Sequence, residues 1–394
     1  MASGIDLTER NPDVRPQDDL FRHVNGAWLD RAVIPEDRAS DGTFHRLRDQ
    51  SEERVRDLLD ELAGAPADPG SEAQQVGDLY ASFLDEDRIE SLDASPITDD
   101  LAAISALDSI PGLARLLGSL VRSGGPGAFA LAVYPDAKEP DRYGLYLTQD
   151  GLGLPDEAFY REDQFAEIRA AYVQHVSTML GLVDTPDPDD AAARVMALET
   201  RIAGHHWDNV RDRDAQATYN PLDRAGLDAL TPTFPWTEWL AGLDAPEDLL
   251  DAVIVREPDF FTGFDGALQE VPLEDWKAWL TWQVVHDAAP MLSSRFVDAN
   301  FDFYGRLLTG AEELRARWKR GVGVVESALG EALGKLYVAR HFPPEAKDQM
   351  LALVANLLEA YRRSITDLDW MTDATKERAL EKLGTFTPKI GYPD

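Results

Sequence analysis

The chain has 394 residues, with 72 Asp and Glu against 38 Lys and Arg, a formal charge of −34, seven histidines and no cysteine. That charge repels nucleic-acid backbones and anionic membrane surfaces, so neither is expected as a partner. The missing cysteine excludes disulfides, thiolate metal sites, Fe–S clusters and a cysteine nucleophile together. Hydrophobic content of 44% is that of a folded globular protein, with the acidity spread along the whole chain as a solvated surface.

No segment reads as an address or an anchor. Met1-Ala-Ser-Gly-Ile-Asp-Leu-Thr-Glu-Arg10 has no basic stretch followed by an apolar run. The apolar stretches at 101–107 and 351–358 are far shorter than the roughly 18 residues of a membrane span. A cytoplasmic protein, or one exported without a leader, is expected.

In chain order, Phe44, Leu47, Val55, Leu58, Leu59 and Leu62 recur on one helical face, with Ser40 or Asp41 available as N-cap. A Pro/Gly/Ala turn over 64–70 precedes a second helix marked by Leu79 and Phe83. Ala128-Phe-Ala-Leu-Ala-Val-Tyr134, a turn, then Tyr143-Gly-Leu-Tyr-Leu-Thr148 reads as a β-hairpin, which must lie against helices to be stable. The loop at Val183–Asp190 reads as a hinge inside one body. Leu314, Trp318, Val322, Val325, Leu329, Leu333 and Leu336 predict one long amphipathic helix or two abutting ones, with Gly321, Gly323, Gly330 and Gly334 as breaks or close-packing points. Pro343 and Pro344 open a further helix carried by Met350, Leu353, Leu357, Tyr361 and Ile365. A last helix starts near Thr372. The fold class is therefore mainly α, with a small β-hairpin insertion at about 128–148.

The chemistry-bearing motifs mostly fail. A helical zinc site of the form His-Glu-x-x-His sets two imidazoles one turn apart with a glutamate beside the metal-bound water. The residues after His23, His45, His175, His205, His206, His286 and His341 are Val, Arg, Val, His, Trp, Asp and Phe, and none is Glu. Glu199, His205, His206, Asp208, Asp212 and Asp214 form the densest set of ligand-type residues, either a metal site or partner-facing and core-edge side chains. His175 falls on an apolar face and reads as a satisfied, half-buried core histidine. Gly330-Glu-Ala-Leu-Gly-Lys-Leu336 resembles a phosphate loop, but it is one residue short and ends in Leu where a hydroxyl must meet magnesium, so a helix crossing is expected. The basic run Arg315-Ala-Arg-Trp-Lys-Arg320 is expected to pair with neighbouring carboxylates or to dock an acidic partner surface. Trp236, Trp239, Trp276, Trp279 and Trp282 recur at three- and four-residue steps, as core packing or as an aromatic peptide-binding wall.

Longer strings carry a resemblance. Gln17-Asp-Asp-Leu-Phe-Arg-His-Val-Asn-Gly-Ala-Trp-Leu29, Ile34-Pro-Glu-Asp-Arg38, Gly42-Thr-Phe-His-Arg-Leu-Arg-Asp49 and Gln149-Asp-Gly-Leu-Gly-Leu-Pro-Asp-Glu-Ala-Phe-Tyr160 resemble the neprilysin family of zinc metalloendopeptidases. Phe303-Tyr-Gly305, Arg317-Trp-Lys319, Gly334-Lys-Leu-Tyr-Val338, Phe342-Pro-Pro344, Leu368-Asp-Trp-Met371, Thr375-Lys376 and Lys389-Ile-Gly-Tyr-Pro-Asp394 continue in the family's order, over nearly the whole chain. The lack of cysteine is similar to the bacterial members.

The resemblance implies a multi-helix capping lobe that walls a substrate chamber and filters peptides by size. It implies a strap over 1–60 that packs on the catalytic lobe, the capping lobe over 61–370, and a crossover helix with the start of a connection over 371–394. In the family the zinc helix and the transition-state residues follow the string Ile-Gly-Tyr-Pro-Asp. No catalytic or metal residue is therefore expected within this chain, and none of the Zn2+ of the complete enzyme is expected to bind this chain alone. The implied partners are a C-terminal catalytic lobe, in the same polypeptide or a separate chain, and peptide substrates. A non-catalytic peptide-binding or regulatory module, or one half of a split two-chain peptidase, is the alternative. One site residue carries over by position: Arg48, in the Leu-Arg-Asp string, matches an arginine that holds the C-terminal carboxylate of bound peptide. The family's namesake has a second arginine eight residues earlier, where this chain has Ser40. Arg48 is also placed to be an ordinary i, i+4 partner of Glu52.

Overall fold

A computed structural model describes residues 6–393. The N-terminal reading at Met1 and the closing Asp394 of the last family string fall outside the described residues. Seventeen α-helices and four short strands are found among the described residues. By contact the chain forms two compact units, one of the segments up to Val33, Ser40–Asp85 and Arg315 onward, the other of Ile34–Ala39 and Glu86–Leu314. These boundaries are not those at 60 and 370, which divide the chain by expected role.

The first unit is built on helices Thr43–Gly64, Glu72–Leu84 and Arg317–His341. Their shared core holds Val55, Leu58, Leu59, Val76, Tyr80, Val322, Val325 and Leu333. Helix Thr43–Gly64 starts from Gly42 with no side-chain cap, in place of the expected Ser40 or Asp41. The predicted apolar stripe is buried only from Val55 on, because Phe44 and Leu47 precede the packed part of the helix and stay 86% and 55% exposed. Helix Glu72–Leu84 is capped by Ser71, whose hydroxyl accepts from the Gln74 amide at 3.2 Å.

Helix Arg317–His341 settles the choice between one helix and two: a single run is broken at Leu329, where φ is −132° and ψ is 30°. Close packing occurs at Gly321, where a Cβ would lie 2.9 Å from the Tyr80 ring, whereas Gly330 and Gly334 face open space. Among the described residues, no helix therefore crosses at the two glycines of the loop-like string, where a crossing is expected from sequence. Helix Pro344–Asp367 opens on proline as its chain chemistry predicts. Helix Asp373–Gly384 is capped by Thr372, which accepts from the Thr375 amide at 3.3 Å. Neither of these two helices buries a residue.

In the second unit, β1 (Phe129–Pro135) and β2 (Tyr143–Gln149) form the predicted hairpin, in register from Phe129 opposite Gln149 to Pro135 opposite Tyr143. Two three-residue strands extend it, β3 (Asn220–Leu222) and β4 (Val253–Val255), in the order β1-β2-β4-β3 with β2 and β4 parallel. Helices cover the hairpin, and Phe129 sits among the rings of Phe234, Trp236, Trp239 and Phe261 at 5.4–5.6 Å. All five recurrent tryptophans are at most 1% exposed, so they are core and form no binding wall. Helices Ile110–Arg122 and Trp236–Leu243 cross where Gly118 and Gly242 face the other's backbone; a Cβ on Gly118 would fall 2.1 Å from the Trp239 carbonyl. The loop read as a hinge turns tightly between helices Ala166–Gly181 and Pro188–Ala203 of this unit, with Asp184 and Asp187 at positive φ.

The core of the second unit encloses a fully buried carboxylate. Glu199 Oε2 accepts from the hydroxyls of Tyr160 at 2.7 Å and Tyr172 at 2.8 Å, and Oε1 accepts from Gln283 Nε2 at 3.3 Å. Burial pushes its pKa up to about 7 against the pull of these donors. Its folded pKa lies above the ordinary value, so its contribution is full below about pH 4.5 and is lost as pH rises through 7. Glu257, also raised to about 7 by burial, acts in the same direction. The buried His175 and the half-buried His206 and His286, lowered to about 3, 4 and 4 by desolvation, act oppositely below pH 6.5. Urea titrations of Glu199→Gln and the parent should isolate the glutamate: the parent's stability relative to the variant falls by about 2–3 kcal/mol between pH 5 and pH 8. A difference independent of pH would contradict the neutral buried acid.

Candidate functional site

Arg48 lies in the second turn of helix Thr43–Gly64, in the first unit. Its Nε donates to Glu52 Oε1 at 3.0 Å, the i, i+4 pairing that the sequence allows. The Arg48 side chain is 61% exposed and the Glu52 side chain 8%. Among the described residues, neither terminal nitrogen of Arg48 donates to a protein acceptor. The planar fork is therefore anchored at its base and open at its tip, the end that pairs a carboxylate bidentately.

Glu52 has a second cation. Arg315 Nη2 donates to both of its carboxylate oxygens at 2.8 Å. Arg315 is held in turn by Arg320 Nε, which donates to the Arg315 carbonyl at 3.2 Å. The rest of the basic run is also occupied: Arg317 donates to the Phe83 carbonyl, and Arg56 stacks on the Trp318 ring at 4.8 Å. The expected internal pairing of this run is thus found at Glu52. A fourth ion, Glu326, has its carboxyl raised by burial and by the charge of Glu52, and lowered by Arg48 and Arg315.

A groove of about 890 Å³ runs beside this cluster within the same unit. Ser51, Val55, Glu326, Leu333, Tyr337 and Phe342 are among its lining residues. Ser51 and Val55 stand three and seven residues after Arg48, so the helical stripe that lines the groove leads to the arginine one turn away. Gly330 and Gly334 also line it, which explains why no neighbour fills the space beside them. Ser40, the position of the second arginine in the family's namesake, has its hydroxyl 3.3 Å from His45 Nε2.

The ligand-type residues around Glu199 are drawn into separate interactions. Glu199 is in the core, His206 Nε2 donates to the Asp150 carbonyl at 3.2 Å, Asp208 accepts the amides of Val210 and Arg211, and Asp212 pairs with Arg256 at 3.0 Å. His175 is buried against Phe303, with ring centroids 5.0 Å apart, and its Nε2 has no hydrogen-bond partner among the described residues, so it is less satisfied than its sequence setting suggests. Among the described residues no three His, Asp or Glu side chains gather as a metal would require.

Arg48 and Glu52 are readable from their spacing alone, whereas the union of Glu52 with Arg315, 263 residues away, is not. The one signal for it is the basic run itself, a concentration of cations in an acidic chain that needs a carboxylate to meet it.

Known proteins share this architecture. The model of peptidase family M13, N-terminal part, matches residues 16–393. Endothelin-converting enzyme-like 1 of Mus musculus is 28% identical over 399 residues, which cover 97% of this chain and 51% of that protein. Neutral endopeptidase of Lactococcus lactis is 26% identical over 389 residues, covering 96% of this chain and 61% of that one. The crystal structure of Mycobacterium tuberculosis zinc metalloprotease Zmp1 with an inhibitor superposes with a TM-score of 0.93 at 46% identity, over 100% of this chain and 60% of that one. The chain thus spans about half to three-fifths of the length of these relatives. Among the described residues no helix is long and apolar enough to cross a membrane. From residue 16 to residue 393 the chain belongs to peptidase family M13.

Proposed function

We propose that this chain supplies the N-terminal, chamber-forming part of a zinc-dependent metalloendopeptidase that hydrolyses peptide bonds. The helical body walls the chamber and limits the size of peptide that enters. The zinc and the water it activates belong to a C-terminal catalytic lobe, in the same polypeptide or a second chain. Residues 1–60 act as the strap on that lobe, 61–370 as the cap and 371–394 as the crossover.

One observation carries the reading. Relatives named endothelin-converting enzyme-like 1 and neutral endopeptidase match nearly all of this chain with only 51–61% of their own length. A surface fit to meet the remainder supports it: Met350, Leu353, Leu357 and Tyr361 form a stripe 41–61% exposed along helix Pro344–Asp367, with Trp370 beyond it 75% exposed. An apolar face of this kind lowers its free energy when a partner covers it.

Co-expression with the C-terminal two-fifths of a Zmp1-like relative tests the division of labour. A stable complex that cleaves peptides is expected, with neither half active separately. Cleavage by the present chain alone would refute the reading, and so would failure of the halves to associate.

Arg48 is assigned the grip on the C-terminal carboxylate of the peptide. In the reconstituted enzyme, Arg48→Ala should weaken peptides with a free C-terminus by about 1–3 kcal/mol, the loss of a charged hydrogen bond. Amidated peptides should be unaffected. Equal losses on both would show that the arginine acts through packing.

A further inference from the structure

A guanidinium beside a buried carboxylate is ordinarily neutralised by it, and a neutralised Arg48 would be a poor trap for a peptide carboxylate. The geometry around Glu52 avoids this outcome. Arg315 spans both oxygens of Glu52 through Nη2 at 2.8 Å each, while Arg48 touches only Oε1, through Nε, at 3.0 Å. Two cations share the one carboxylate they both contact, and the exposed end of the trio is the open tip of Arg48.

We propose that Arg315 is a positioning residue for peptide binding: it occupies Glu52 and so prevents Glu52 from closing on the Arg48 fork. This rests on the reading of Arg48 as the carboxylate grip. Without Arg315, the Glu52 carboxylate is free to turn and engage Arg48 through Nε and Nη2 together, which takes Nη2 away from the open tip that a peptide terminus would use. Glu52 is then an internal competitor of the substrate. Three features keep Arg315 in place. Arg320 fixes its backbone carbonyl, the carboxylate it spans is buried, and its own side chain is only 34% exposed. Glu326, on the groove wall, is a second anion that feels both arginines.

The test uses the full 394-residue chain and one fluorescent peptide made with a free or an amidated C-terminus, its affinity read by anisotropy at low salt. The ratio of the two affinities is the readout. The parent chain should prefer the free acid, and Arg48→Ala should abolish that preference. Arg315→Met should reduce the preference about tenfold with amide binding unchanged, because Glu52 now occupies the fork. The double variant Glu52→Gln with Arg315→Met should restore it, since the competitor has been removed. It also removes a buried charge that the single variant leaves with one of its two cations, so its fold is protected where the single variant's is strained. A structural role for Arg315 would not be rescued in this way, and failure of the double variant to recover the preference overturns the inference. Retention of full preference in Arg315→Met also overturns it, while leaving Arg48 as the grip. A parent chain that binds acid and amide alike overturns the grip itself and this inference with it.

Discussion

A carboxylate taken out of water must be met by positive charge, and at Glu52 this requirement organises the first unit. The residue sits on the helix that supplies Val55, Leu58 and Leu59 to the core, so its burial comes with the packing of that helix. One cation would satisfy it. Two are present, one from the same helix and one from the segment that leads into helix Arg317–His341, and the pairing fixes the start of that second helix against the first. Because Arg315 spans Glu52, Arg48 keeps an open tip in a chain whose formal charge is −34.

Two buried carboxyl groups, one in each unit, are met in different ways. In the first, Glu52 is paired with two arginines. In the second, Glu199 is surrounded by tyrosine hydroxyls and an amide, with no cation bonded to it among the described residues, and burial moves its pKa to about 7. A neutral acid suits a core of tryptophan and phenylalanine, where nothing needs to be bound. A carboxylate bonded to two arginines leaves the more exposed of them, Arg48, with free donors. Only the second of these offers chemistry to a ligand.

Much of the fold is legible in the sequence where a periodic pattern and a cap chemistry agree. The proline at the start of helix Pro344–Asp367, the threonine cap at Thr372 and the hairpin from Phe129 to Gln149 follow from local rules of capping, turn chemistry and alternation. Strands β3 and β4 are not legible, because three residues cannot display an alternation. The apolar stripe of helix Thr43–Gly64 is readable in full, but periodicity says which residues share a face and not how far along that face a neighbour extends; Phe44 and Leu47 lie beyond it. Gly330 and Gly334 illustrate the same limit, since a small residue permits close approach without guaranteeing that anything approaches. Of the candidate site, Arg48 with Glu52 is a local spacing and readable; Arg315 with Glu52 is a product of the fold and is not.

If this chain positions peptide while the metal chemistry resides elsewhere in the enzyme, the purified chain should hold no zinc of its own. Native mass spectrometry after equilibration with excess zinc, followed by buffer exchange to strip loosely held ions, measures this without recourse to activity. The expected mass is that of the polypeptide alone. A species carrying one tightly held zinc per chain would contradict the division between a peptide-positioning part and a metal-bearing one.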